Sequence, residues 1–206
     1  ETEELVEWIL LEAAKLQSSN ASKSLNILDI GTGSGCIPIS LAKKLPTATV
    51  SAIDISVDAL KIAKKNATLN NVKIEFIEAD ILQTEHLNIF ANSSTSCNTN
   101  SKNKFNIIVS NPPYVRELEK VEIQNNVLQN EPHLALFVSN ENPLIFYDKI
   151  ADLAKKNLAK DGLLFFEINQ YLGQETSKIL TEKGFKNIEL RKDLFGNERM
   201  IKATII

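Results

Sequence analysis

The sequence holds 206 residues, 43% of them hydrophobic and 24% charged, with a formal net charge of -3. That length suits one α/β domain and is tight for two, and no apolar run approaches the ~20 residues that a membrane-spanning helix needs. The slight acidity argues against a broad phosphate-binding surface, and His86 and His133, with no Cys/His pair at ligand spacing, give no basis for a zinc or other metal site.

In chain order, Leu5, Val6, Ile9, Leu10 and Ala13 recur at helical spacing, so residues 3–16 are predicted helical. The chain opens at Glu1 inside this pattern and without Met, as a piece of a longer protein would. A polar loop at 18–24 leads to a first strand over 25–30 and a glycine turn. Cys36 opens a helix to Leu45 that Pro46 stops, and its thiol is expected to be buried against that helix. Cys36 and Cys97 read as free thiols of a reducing compartment, which points to the cytoplasm. Residues 49–53 form a second strand ending at Asp54. Ser56 then caps a helix to about Leu69, with Asp58 in its first turn. A third strand is expected over 72–77, ending near Asp80.

Periodicity is lost between 83 and 104, where Asn, Ser, Thr and Lys predominate, the composition of a surface loop. Residues 105–110 form a fourth strand that Asn111-Pro112-Pro113-Tyr114 breaks. Residues 115–142 read as irregular and net acidic, with Arg116 and Lys120 against Glu117, Glu119, Glu122, Glu131 and Glu141. A helix over 143–158, a turn at Asp161-Gly162 and an apolar strand over 163–168 follow. A further helix over 174–183 is closed by Gly184. Residues 185–191 and 200–206 alternate like paired strands around Gly196-Asn197. Short β-branched runs alternating with helices predict a seven-stranded, mostly parallel sheet covered by helices, with an antiparallel hairpin at its end.

The strongest local signal is Asp29-Ile30-Gly31-Thr32-Gly33-Ser34-Gly35, a strand running into a turn with glycine at alternate positions and then a helix. Such a turn lets a ligand lie against bare backbone, and small side chains at Thr32 and Ser34 keep that face open. A dinucleotide fingerprint would need its third glycine where Cys36 stands, and no Lys-Ser/Thr pair follows as in a phosphate-binding loop. S-adenosylmethionine carries no phosphates and fits this spacing. Asp54, at the end of the second strand, can accept hydrogen bonds from both hydroxyls of a ribose or can help cap the next helix, a task Ser56 performs better. Asp80 can accept from an adenine amine or simply begin a loop. Asp29 can either hold the glycine turn through backbone N–H groups or reach the donor's amino group.

Pro112 and Pro113 can continue neither a ladder nor a helix, so the chain leaves the sheet here as a stiff projection beside the glycine turn. The Asn111 side-chain oxygen and a proline carbonyl are two acceptors, and Tyr114 adds a flat ring. Two acceptors next to a methyl donor suit a planar –NH2 group: they orient its nitrogen and stabilise the positive charge that grows as the methyl arrives.

These motifs resemble the protein-(glutamine-N5) methyltransferases that modify peptide chain release factors. The resemblance is carried by Glu1-Thr2-Glu3, residues 29–35, Asn111-Pro112-Pro113-Tyr114, Glu131-Pro132 followed by Ala135-Leu136, Glu167, and Asp193-Leu194 with Gly196 and Arg199. It implies a Rossmann-like S-adenosylmethionine-dependent fold over residues 1–206, without the family's N-terminal helical domain. It implies that Gly31, Thr32, Gly33, Ser34, Gly35, Asp54, Asp80, Ile81 and Asn111 contact the donor. Asn111, Pro112 and Pro113 would hold the glutamine amide of a release factor's Gly-Gly-Gln loop, with Tyr114 shaping the pocket. The longer insert at 92–103 and the stretch Asn140-Glu141-Asn142-Pro143 depart from the family pattern away from this chemistry. An adenine-N6 methyltransferase of DNA or RNA poses the same hydrogen-bonding problem, but it needs basic residues where 115–142 is acidic. A glutamine methyltransferase of a ribosomal protein would use the same motifs. A binding module without activity would have little reason to keep the glycine turn, Asp54 and Asn111 intact.

Overall fold

The structure, a computed structural model, describes residues 1–19, 24–87, 104–113, 115–116, 137–138 and 142–205. Tyr114, Cys97, His133, the Asn/Ser-rich insert and most of the acidic segment, including Glu131-Pro132 and Ala135-Leu136, lie outside the described residues. The chain begins with α1 (Thr2–Ser19), β1 (Asn26–Ile30), α2 (Cys36–Lys44), β2 (Thr49–Asp54), α3 (Val57–Leu69), β3 (Glu75–Glu78) and β4 (Phe105–Ser110). It continues through β5 (Val115–Arg116), β6 (Phe137–Val138), α4 (Ile145–Asn157), β7 (Leu158–Glu167), α5 (Gly173–Glu182), β8 (Lys186–Lys192) and β9 (Glu198–Thr204).

Seven strands form one sheet in the order β3-β2-β1-β4-β7-β9-β8. The first five of that order pair in parallel, while β9 is antiparallel to both β7 and β8. This is the sheet and terminal hairpin that the sequence pattern predicts. Side chains alternate between two cores with the period of a strand. Ile27, Ile107, Leu163 and Phe165 face α1 and α2, where they meet Leu5, Trp8, Ile9, Ile37 and Leu41. Leu28, Ile108, Leu164 and Phe166 face α4 and α5, where they meet Tyr147, Ile150, Ala154 and Leu180. Burial on both faces is why these strands read as unbroken apolar runs. Trp8 meets Phe165 edge to face at 5.4 Å between centroids, a geometry worth about 0.5–1.5 kcal/mol beyond area burial.

Four local expectations are corrected. The third strand begins at Glu75, not 72, because Asn71 turns left-handed (φ 55) and the Val72 N–H closes α3 on the Ala67 carbonyl. The strand expected from 163 begins at Leu158. Leu158 pairs with Phe105, and the Asp161-Gly162 turn becomes a register shift inside β7 before Leu163 meets Ile107. Within the segment read as irregular, β5 and β6 pair in parallel. Cys36 is exposed: it shares the solvent stripe of α2 with Ser40 and Lys43, while Ile37, Ile39 and Leu41 are buried.

The strand order places the site. From β1 the chain moves outward through β2 and β3, then returns to the other side of β1 as β4. Ligands of open α/β sheets sit at such a reversal, outside the carboxyl ends of the strands. Here those ends are Ile30, followed by the glycine turn, and Ser110, followed by Asn111.

Candidate active site

Gly31, Gly33 and Gly35 adopt φ of 75°, 54° and 85°, a region that L side chains enter at a cost. The turn folds over the end of β2, where the N–H groups of Gly31 and Thr32 both donate to the Ile53 carbonyl at 2.9 and 3.0 Å. From behind, Asn66 Nδ2 of α3 donates to the Ser34 carbonyl at 3.0 Å. The three glycines then divide. Among the described residues, a Cβ on Gly33 would meet nothing within 4 Å, and one on Gly31 would meet only the Asn111 carbonyl oxygen, at 4.0 Å. A Cβ on Gly35 would stand 3.1 Å from both Ala63 Cβ and Ile39 Cδ1. Gly31 and Gly33 thus border open space, while Gly35 lets α3 pack against the turn.

Asp54 ties the turn to the next helix. Its Oδ2 accepts the Gly33 N–H at 2.7 Å and its Oδ1 accepts the Ser56 N–H at 2.8 Å. Ser56 itself caps α3 by accepting the Ala59 N–H. Both roles considered for Asp54 are therefore compatible, because a carboxylate has lone pairs to spare. The turn is held by this residue, and Asp29 takes no part in that. Asp29 is wholly buried, and neither carboxylate oxygen has a hydrogen-bond partner among the described residues. Burial pushes its carboxyl up to about 7; the Thr32 hydroxyl, near but not in hydrogen-bond geometry, opposes the rise, and the Asp54 charge adds to it.

At the end of β3, Asp80 Oδ1 accepts the Leu82 N–H at 2.9 Å and its carbonyl accepts from Thr84, so it does begin a turn. Ile81 is buried within the core on the α4 face. Asp80 belongs to the strand beyond Asp54, tied to it where the Ala79 N–H meets the Asp54 carbonyl at 3.0 Å.

On the other side of β1, Pro112 is buried, and Asn111 and Pro113 are partly exposed. Tyr114 is not among the described residues. Two residues of this site escaped the sequence reading. Ser110, wholly buried, donates its hydroxyl to the Ile30 carbonyl at 2.7 Å. Ile55, between Asp54 and Ser56, is 60% exposed. An apolar residue directly after a strand-ending Asp, ahead of the apolar stripe of α3, was the signal available for it.

Fold and site define a Rossmann-like S-adenosylmethionine-dependent methyltransferase domain. A ribosomal protein L11 methylase from Lactobacillus delbrueckii subsp. bulgaricus superposes with a TM-score of 0.59 at 22% identity, covering 100% of this chain and 77% of that one. A 16S rRNA N2 methyltransferase from T. thermophilus, solved with AdoMet and guanosine, superposes at 0.58 and 20% identity, covering 96% of this chain and 42% of the other. Residues 9–136 match the methyltransferase small domain family. The chain is 59% identical over 203 residues to a release factor glutamine methyltransferase of Flavobacterium psychrophilum, covering 98% of this chain and 65% of the relative. Against its counterpart in Lactococcus lactis the figures are 43% over 204 residues, 98% and 67%. The chain belongs to the methyltransferase small domain family and, within it, to the release factor glutamine methyltransferases. It spans about 65% of the length of the Flavobacterium relative.

Proposed function

We propose that this domain methylates the side-chain amide nitrogen of a glutamine in a peptide chain release factor, in the Gly-Gly-Gln loop, and does so in the cytoplasm. The observation that carries the reading is the pairing of Ile30 with Ser110, which sets Asn111-Pro112 beside the Gly31 turn. The names of the relatives supply the substrate class, and no helix among the described residues is long and apolar enough to cross a membrane.

The site fits S-adenosylmethionine. Bare backbone at Gly31 and Gly33 borders open space. Asp29 offers a buried carboxylate whose two oxygens have no partner among the described residues, and such a group is costly until a cation meets it; the donor's amino group is that cation. Asp54 accepts the ribose hydroxyls with its remaining lone pairs. Ile55, which is exposed, offers apolar surface to the adenine, and Asp80 an acceptor to its amine. When bound, the cofactor supplies an electrophilic methyl on a sulfonium.

The chain's own part is positioning. The Asn111 side-chain oxygen and the Pro112 carbonyl accept the two N–H groups of the glutamine amide, turning its weakly nucleophilic nitrogen toward the methyl. They also stabilise the charge that develops on that nitrogen. Pro113 stiffens the segment. No strong base is required, because the proton departs after transfer, and the step needs no metal.

Labelled methyl transfer distinguishes the substrates. With Flavobacterium psychrophilum release factor the label enters protein and is lost when the loop glutamine is replaced. Transfer to an adenine-containing oligonucleotide in preference to the release factor would overturn the reading.

A further inference from the structure

The two most exposed large hydrophobic residues described in the chain stand together at the tip of the β8–β9 hairpin: Leu194 is 88% exposed and Phe195 is 86% exposed. Chain reversal does not require them, since polar turn residues serve that purpose. Together they offer on the order of 300 Å² of carbon surface, the size of a functional patch on a typical monomer.

The tip is held rigidly. Buried Asp193 accepts the N–H groups of both Phe195 and Asn197 on Oδ1, each at 2.9 Å. Its own N–H donates to the Asn197 carbonyl and its carbonyl accepts the Gly196 N–H, with Gly196 left-handed at φ 86°. Arg199 lies 3.5 Å from Glu1 and 3.7 Å from Asp193, so its guanidinium faces carboxylates at the base of the tip. The exposed carbon of Leu194 and Phe195 suits apolar side chains.

Its position decides what it meets. Met200 of β9 pairs with Glu167, the last residue of β7, and the Ile168 N–H donates to the Arg199 carbonyl at 2.8 Å. Phe166 of β7 pairs with Ser110 of β4. Residues 193–197 therefore rise past the same end of the sheet as Asn111, two to three strand spacings away, about 10–15 Å sideways. Tyr171, 53% exposed, follows β7 at this end.

We propose that Leu194 and Phe195 are a docking tip for the protein that carries the target glutamine, gripping apolar side chains beside the loop that enters the site. The inference rests on the protein-substrate reading given above. A tip this far from the amide contributes binding in ground state and transition state alike, so it acts on KM and leaves kcat unchanged.

The test compares full-length wild-type protein with the Leu194→Ser/Phe195→Ser double variant, using unmodified Flavobacterium psychrophilum release factor and a short peptide spanning its glutamine loop. The variant should raise KM for the intact factor about tenfold or more, with kcat, S-adenosylhomocysteine affinity and activity on the short peptide unchanged. Equal KM values would overturn the docking site alone. So would a variant that loses donor affinity, which makes the tip structural, or one that changes only the sedimentation of the enzyme, which assigns the tip to a second copy of the chain. Failure of the wild type to label the release factor refutes the functional reading, and the docking site falls with it.

Discussion

Ser110 Oγ donates to the Ile30 carbonyl at 2.7 Å, inside the sheet and out of contact with water. Each residue is the last of its strand, and the next residues are Asn111 and Gly31. This buried hydrogen bond therefore joins the β1–β4 ladder in setting the spacing between the substrate segment and the donor turn. Ser110→Ala should lower stability by about 1–2 kcal/mol, read by denaturant unfolding. It should lower kcat more than donor affinity, because in-line transfer is sensitive to small displacements. Wild-type kcat in a destabilised variant would show that the bond serves the sheet alone.

Asn111→Ala removes one of the two acceptors proposed for the amide. Transfer should fall by roughly 10²–10³-fold, by analogy with the loss of a preorganised group in an oxyanion hole. S-adenosylhomocysteine affinity should change little in calorimetry, since the glycine turn stays intact. An undiminished kcat would remove Asn111 from the chemistry.

Asp29 makes donor binding and stability depend on pH in opposite senses. With its carboxyl raised from 3.8 to about 7, the folded protein without donor retains a proton that the unfolded chain releases near pH 4. The stabilisation linked to that proton is complete below about pH 4, is lost as pH rises through about 7, and amounts to up to about 4 kcal/mol. Asp29→Asn should flatten this slope in thermal unfolding. Donor affinity should rise with pH as the carboxylate ionises opposite the donor's ammonium. The Asn variant should bind more weakly and show no such rise between about pH 5.5 and about pH 8. A wild-type protein whose donor affinity is level across that range would contradict the pairing.

The glycines should separate by assay. Gly35→Ala places a left-handed Cβ 3.1 Å from Ala63 and Ile39 and should cost about 2–4 kcal/mol of stability. Gly33→Ala is strained at φ 54° but meets open space, so it should cost about 1–2 kcal/mol while weakening donor binding more than Gly35→Ala does. Melting temperatures and calorimetry on the same two variants resolve the order, and the reverse order would exchange their roles.

The strands were legible in the sequence because burial on both faces leaves runs such as residues 163–166 without polar interruption, and α3 because Ser56 caps it as its side chain suggests. Contacts between residues distant in the chain were not legible. Asp54 reaches back to Gly33, Gly35 packs on Ala63, and Ser110 bonds to Ile30. None of these pairs shares a local pattern, and each depends on which strands become neighbours. The late start of β3 went unread for a local reason: Asn71 turns left-handed and Val72 is drawn into the end of α3, so the apolar residues after it do not all reach the sheet. The isolation of Asp29 was equally hidden, because a strand-end Asp beside a glycine turn usually finds backbone donors, and here Asp54 takes the Gly33 N–H instead.

The most direct test of a rigid acceptor pair poised beside the methyl donor is fragmentation mass spectrometry of release factor after incubation with the full-length protein and S-adenosylmethionine. A single added methyl group, located on the side-chain nitrogen of the loop glutamine and absent when Asn111→Ala replaces the wild type, is the predicted result. A methyl on another residue, or on the same glutamine at an equal rate with the Asn111→Ala protein, would contradict it.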